Sequence, residues 1–400
     1  MFWLIFLIYC LFPFGELIRI DLGNGLVIKP IDILIVITSL LFLLSRIIIK
    51  KLPKESLAKP FSIFVFFATI SLVSNLTWLS ANDFFVSLLY LIRFVSIGVI
   101  FAIIARFSEK QKNIFSIVMV ISGFFVAFFG FIQYILYTNL INLSYLGWDN
   151  HWFRLFSTFF DPNFVGAFLV LYFLYVWYLT MSYCIKREIK KSIIFSILSL
   201  LSLFAIFLTF SRSALLSLII GILTFVFLQK KYRKIAAIAL LFFFIGIGII
   251  LLNYKATEGT KLFRIASSEA RITSAMDALT IISKNPILGI GFDAYRYAQL
   301  KFGTATGPNW QASHSGAGTD NSFLFVLATT GIIGFIFYLN ILTRIFAICR
   351  LYLKKSPFVI VVIASFCAII VDSFFINSLF YPFILVWLVS LLGIIENNEQ

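Results

Sequence analysis

Apolar runs long enough to cross a bilayer recur along this chain, and polar residues are confined to the breaks between them. About 20 residues of helix cross roughly 30 Å of hydrocarbon. Twelve segments fit that template: 2–14, 31–49, 60–79, 84–105, 113–137, 163–183, 192–209, 213–229, 235–252, 321–343, 357–375 and 378–395. The pattern predicts an all-α polytopic membrane protein of about 12 transmembrane helices. Two breaks, 138–162 and 253–320, are longer than ordinary turns, and loops of that length are usually functional. They divide the chain into nine helices (1–252), one large loop (253–320), and three helices with a short tail (321–400). Within the loop, Ile272, Ala275, Met276, Leu279 and Ile282 recur at helical spacing, and Asn285-Pro286 follows. This predicts an amphipathic helix over 267–284, lying on the membrane surface. Residues 303–318, rich in Gly, Ser, Thr and Ala, predict a mobile flap. No internal repeat is visible.

Composition removes the alternatives. Apolar residues make up 61%, charged residues 12%, and mean hydropathy is +1.03. A soluble domain is about half apolar and about a quarter charged. The net charge of +15 first suggests nucleic acid, but its distribution points elsewhere. With the N-terminus in the cytoplasm, every short basic turn falls on that side: Arg46 to Lys59, Arg106 to Lys112, Lys186 to Lys191, Lys230 to Lys234, and Arg344 to Lys355. This is the positive-inside pattern of a multi-pass protein. Both termini are then cytoplasmic, the large loop is extracytoplasmic, and no nucleic acid partner is expected. The N-terminus has no basic n-region and no small-residue cleavage site, so it reads as a retained first span. Cys10, Cys184, Cys349 and Cys367 lie in or beside apolar runs without a CxxC pair and read as small core residues.

The remaining cations need another explanation. Arg93 falls inside a span. Arg19, Lys29, Arg154, Arg212, Lys255, Lys261, Arg264, Arg271, Lys284, Arg296 and Lys301 fall on the outer side or its border. In "RLFSTFFDPN" (154–163), Asp161 with Pro162 makes a good helix start. That leaves Arg154, with His151 just upstream, without a structural reason. In "TFSRS", Ser211 can cap a helix, but Arg212 opposes the helix dipole. An anionic ligand relieves that conflict, and so does snorkelling to the interface. Arg271 opens the loop helix and can bind a ligand, pair with Glu269 or face headgroups. Asp320 or Asn321 can cap the tenth span, and Gly331 and Gly334 permit close helix approach. His314 sits in the Gly-rich stretch. An intramembrane arginine such as Arg93 is a functional candidate by default, although a carbonyl or polar side chain can also pair it. There is no DxD, no metal-spaced His/Cys/Asp cluster, no phosphate-loop motif and no GxSxG. No metal and no cofactor are expected.

Taken in order, "RLFSTFFDPN", "TFSRS", "RITSAMDALTIISKNPILGIGFDAY" and "DNSFLFVLATTGIIG" resemble the O-antigen ligase/O-antigen polymerase superfamily of bacterial envelope glycosyltransferases. The resemblance implies a GT-C-like fold in the bacterial cytoplasmic (inner) membrane, with the active site facing outside. It implies a metal-independent transfer of glycan from undecaprenyl-diphosphate-linked oligosaccharide to an acceptor glycan, releasing the lipid diphosphate. The lipid bilayer and a possible chain-length regulator complete the expected partners. Arg212 and Arg271 match the family's diphosphate-holding arginines. Asp320-Asn321 stands where ligases usually carry His-Asn, and Thr329 replaces a frequent glutamate, which leans toward polymerases. Ligation to a lipid or cell-wall acceptor is the alternative.

The chemistry of the residues agrees with that role. Prenyl diphosphate is already a good leaving group, so transfer needs charge stabilisation and an oriented hydroxyl. Arginine offers planar bidentate donors to phosphate oxygens. Asp320 can take the hydroxyl proton or only orient the acceptor, with His314 as a competitor for the base role. Arg154, Asp161, Asn163, Asn321 and Arg93 are the further substrate-binding candidates. The aromatics Tyr145, Trp148, Trp152 and Phe153 suit sugar stacking, and equally suit a membrane interface. A transporter or flippase of lipid-linked glycans is the rival from another class. It would be expected to place carboxylates inside spans, where Asp372 alone comes close.

Overall fold

The structure is a computed structural model and describes residues 1–22, 26–50, 55–229, 260, 265–304 and 318–396. Thirteen α-helices occur among these: α1 (Phe2–Leu11), α2 (Pro30–Ile48), α3 (Ala58–Ser74), α4 (Ala81–Ile104), α5 (Glu109–Leu136), α6 (Pro162–Ile185), α7 (Ile189–Leu208), α8 (Arg212–Leu228), α9 (Ile265–Lys284), α10 (Tyr295–Lys301), α11 (Ser322–Tyr352), α12 (Val359–Asp372) and α13 (Pro382–Ile395). Eleven of the twelve expected spans are helical, and the other, 235–252, lies outside the described residues. The same holds for the Lys230 to Lys234 turn, His314 and nearly all of 303–318. Six helices (α2, α4, α5, α6, α7 and α11) are long and apolar enough to cross a membrane, and five shorter apolar helices accompany them. A two-residue antiparallel ribbon, Ile20–Asp21 with Val27–Ile28, is the β structure among the described residues.

Helix α6 is the axis of the bundle. It is apolar on all faces, as a helix enclosed by others must be, and Val165 to Trp177 are buried without interruption. Phe168, Tyr172 and Tyr175 pack around Trp387 of α13, together with Tyr9 of α1 and Phe12 just after it. Helices α2 and α7 lie outside this core and expose most of their apolar residues. Cys10 and Cys184 are exposed, which corrects their reading as core residues. Cys349 is buried.

The large loop is spliced into α11. At Gly331 the helix breaks, with φ 64° and ψ −173°, a region open essentially to glycine alone. A break frees backbone groups that hydrocarbon cannot satisfy. Here the loop satisfies them. Ile290 N–H donates to Ala328 O at 3.0 Å and Gly291 N–H to Thr329 O at 3.1 Å, while Ile332 N–H donates to Pro286 O at 2.9 Å. Two glycines allow this approach. A Cβ on Gly331 would lie 2.1 Å from Ile287 O, and one on Gly289 would lie 2.5 Å from Gly331 N. Helix α3 completes the joint. Ser71 Oγ donates to Thr329 O at 2.7 Å, and Asn75 Nδ2 donates to Gly289 O at 3.0 Å. The role expected of Gly331, close helix packing, is thus a backbone junction.

The loop helix spans Ile265–Lys284, close to the expected range, but it has two apolar faces rather than one. Ala278 and Ile281 are fully buried with Phe325 and Ala328 of α11. Ile272, Met276 and Leu279 are 64%, 61% and 49% exposed on the opposite side.

The junction yields a direct test. Gly331→Ala should cost about 1–3 kcal/mol from backbone strain alone, with the clash at Ile287 in addition. Thermal unfolding in detergent should show a midpoint several degrees lower. A midpoint equal to wild type would mean that the break tolerates a side chain.

Candidate active site

One end of the bundle holds a cavity of about 660 Å³, within the usual range for a small-molecule site of about 300–1,000 Å³. It opens among the start of α4, the 148–164 segment, α9, the loop after α9, and the segment leading into α13. Six cations line it: Arg19, Lys29, Arg93, Arg154, Arg271 and Arg296. Five carboxylates accompany them: Glu16, Asp149, Asp161, Asp293 and Asp320.

The 151–161 segment sits directly on the axial helix. Asp161 caps α6, accepting from Asn163 N–H at 2.6 Å and Phe164 N–H at 3.1 Å, and Pro162 follows in the first turn. His151 Nε2 lies 3.9 Å from the other carboxylate oxygen of Asp161. Arg154 is buried at 4% exposure. Its Nε donates to Thr209 O at 2.8 Å and its Nη2 to Asn163 Oδ1 at 3.1 Å. This ties "RLFSTFFDPN" to "TFSRS". Gln133 holds the turn from behind, accepting from Phe156 and Ser157 N–H. His151, Phe153, Ser157, Phe160 and Phe210 all have positive φ, a strain that concentrates at functional sites.

Helix α9 brings in the second half. Arg271 lines the cavity, and Ser274 one turn later accepts the Asp320 N–H at 3.0 Å. That bond fixes Asp320 beside Arg271. Burial pushes the Asp320 carboxyl up to about 6; Arg271 opposes the rise, and Asp161 and Asp149 reinforce it. Burial lowers the basicity of Arg271, Asp320 counters this, and Arg212 adds to it. Among the described residues Arg271 makes no ion pair within 4.0 Å, and its guanidinium lies 5.9 Å from the centre of the Phe375 ring. Arg212 is the first residue of α8, after the Ser211 cap. It stands outside the cavity lining and donates to Ser268 Oγ at 3.2 Å.

Of the predicted residues, Arg93, Arg154, Asp161, Asn163, Arg271 and Asp320 therefore share one cavity. Asn321 does not line it. Its side chain caps α11, accepting from Phe323 and Leu324 N–H at 2.9 and 3.0 Å. His314 lies outside the described residues. Arg93, at mid-helix in α4, meets Asp32 Oδ2 at 3.6 Å and lies over the Tyr90 ring at 4.4 Å. Asp32, in the first turn of α2, also corrects the reading of Asp372 as the one carboxylate near a span interior. Of the loop aromatics, Trp148 reaches the cavity, whereas Tyr145 is 75% exposed.

Sequence reasoning missed several wall residues. Lys29 and Glu16, each 5% exposed, pair at 2.5 Å. Arg19, Lys29 and Arg296 had a signal, since each stands apart from the basic turns. Asp293 and Glu16 had none.

Residues 197–339 match a family model described as O-Antigen ligase. The matched stretch contains Arg212, Arg271, Asp293, Arg296, Asp320 and the Gly289–Gly331 junction. No curated protein matches the chain. The ordered motifs and this match agree: residues 197–339 of a multi-pass membrane protein match the O-antigen ligase family, which supports the O-antigen ligase/O-antigen polymerase superfamily, whose members are glycosyltransferase-like enzymes.

Proposed function

We propose that the protein is a glycosyltransferase that takes oligosaccharide from undecaprenyl diphosphate at the outer face of the cytoplasmic membrane and joins it to an acceptor glycan. The observation that carries this reading is Arg271. It is a partly buried guanidinium in a cavity with Asp320, Arg212, Asp372 and Asp161 as its charged neighbours, and among the described residues no carboxylate pairs with it within 4.0 Å. Such a group is costly unless an anion completes it. A diphosphate does so through charge-assisted bidentate bonds.

In this reading Arg271, Arg154 and Arg212 stabilise the charge on the departing diphosphate, Arg212 from just outside the cavity lining. The acceptor oxygen forms a bond to the anomeric carbon, and the bond from that carbon to the phosphate oxygen breaks. The electron pair leaves on the diphosphate and the hydroxyl proton passes to Asp320. Asp320-Asn321 standing in place of His-Asn supports chain growth by repeat units. Ligation to another acceptor is the second reading, favoured by the description of the matching family model.

Purified protein in detergent, given lipid-linked oligosaccharide from its own host, should release undecaprenyl diphosphate and give a ladder of products. A single addition, requiring an added acceptor, would indicate ligation instead. An intact donor under both conditions would refute transfer. Arg271→Ala and Arg212→Ala should each lower the rate about 10²–10³-fold, the usual loss for one charge-stabilising donor, at unchanged expression. Wild-type rates in both would remove the arginines from the site.

The pH profile follows from Asp320. Its folded value of about 6 lies above the ordinary 3.8, so the proton-accepting form is lost as pH falls through about 6. The rate should drop about tenfold per pH unit below that point. Asp320→Asn should be slow and lack this limb. An acid limb retained in that variant would assign the base to another group.

A further inference from the structure

Two carboxylates of the cavity differ in their charged neighbours. Asp320 has Arg271, Asp161 and Asp149 as its charged neighbours, whereas Asp293 has Arg93 and Arg296. The two lists share no member. The proposed transfer chemistry uses the first set and leaves the second without a role.

Asp293 has φ +60° and follows directly from the loop spliced into α11, so the junction at Gly289 and Gly331 fixes its backbone. Its carboxylate lines the cavity, yet among the described residues it accepts no hydrogen bond and joins no ion pair within 4.0 Å. Burial raises its carboxyl to about 7. Near neutral pH it can therefore accept from or donate to a hydroxyl. Tyr90, with Arg93 over one face of its ring, and Tyr297 line the cavity near Asp293. Two carboxylates and two guanidiniums stand together there. Arg93 is held by Asp32 at 3.6 Å, and Arg296 neighbours Asp293. A mixed set of carboxylates and guanidiniums beside phenol rings matches a polyhydroxyl ligand better than a second anion. Hydroxyls pair with both kinds of group, and sugar rings lie on aromatic faces.

Building on the transferase reading above, we propose that Asp293, with Arg93, Arg296, Tyr90 and Tyr297, forms an acceptor-sugar subsite at the end of the cavity away from Arg271. Asp293 receives the hydroxyls of the incoming glycan and sets which one faces the donor. Its role is positioning.

Asn tolerates positive φ as Asp does, so Asp293→Asn keeps the backbone while removing the charge. Monodispersity and the thermal midpoint confirm the fold. The first probe is the lipid-free repeat-unit oligosaccharide, released from the host donor by mild acid and titrated into purified protein by calorimetry. The second probe is undecaprenyl diphosphate. Asp293→Asn and Tyr297→Ala should weaken oligosaccharide binding at least tenfold, leave undecaprenyl diphosphate binding unchanged, and raise acceptor KM more than they lower kcat. Arg271→Ala should do the reverse, losing the lipid and keeping the oligosaccharide. The subsite is overturned if wild type binds no oligosaccharide, if Asp293→Asn binds it like wild type, or if that variant loses the lipid equally. Oligosaccharide binding that depends on Asp293 without any transfer would keep the subsite and overturn the transferase reading instead.

Discussion

The backbone junction between Gly289 and Gly331 is the constraint from which the rest of the site follows. A helix that breaks inside a bundle leaves carbonyl and amide groups that must find partners. The chain supplies them from its own large loop, at Ile290, Gly291, Pro286 and Ile287. The loop is thereby anchored at its middle rather than hanging from its ends. Helix α9 enters this anchor from one side, with Arg271 and Ser274, and the Asp293–Arg296 segment leaves it on the other. Two halves of one cavity are thus placed by one set of main-chain hydrogen bonds. Neither half needs its own scaffold.

A second set of bonds joins the earlier part of the chain to this frame. Arg154 reaches the carbonyl of Thr209, in the turn that precedes Arg212. Ser322 N–H donates to Ser373 O, and Leu379 N–H donates to Ser322 Oγ, so the starts of α11 and α13 are coupled near Asp320. The opposite end of the bundle has polar ties of its own, with Arg106 on Glu55 at 2.7 Å and Lys112 Nζ donating to Glu396 O at 2.8 Å.

Much of this was legible in the sequence because membrane helices announce themselves by length and by caps. Asp161-Pro162, Ser211 and Asn321 marked helix starts that the structure has at those residues. The gathering of Arg93, Arg154, Asp161, Asn163, Arg271 and Asp320 was also readable, since cations and carboxylates beside apolar spans have few structural reasons to exist. The unread part depends on packing between distant segments. Arg93 meets Asp32 only because α2 lies against α4. Gly289 looks like any turn glycine until Gly331 is placed 2.5 Å from where its Cβ would stand. Asp293 carries no local signal, because its position comes from that same junction. Of the two residues that could cap the tenth span, Asn321 takes the cap and Asp320 lines the cavity.

The central claim is that the cavity beside Arg271 holds a prenyl diphosphate. The most direct measurement is a structure of the full chain in lipid nanodiscs with undecaprenyl diphosphate bound. The account predicts phosphate oxygens within hydrogen-bond distance, about 2.7–2.9 Å, of the Arg271 guanidinium, with the Asp293 end left open. Diphosphate density elsewhere on the bundle, with Arg271 unengaged, would contradict it.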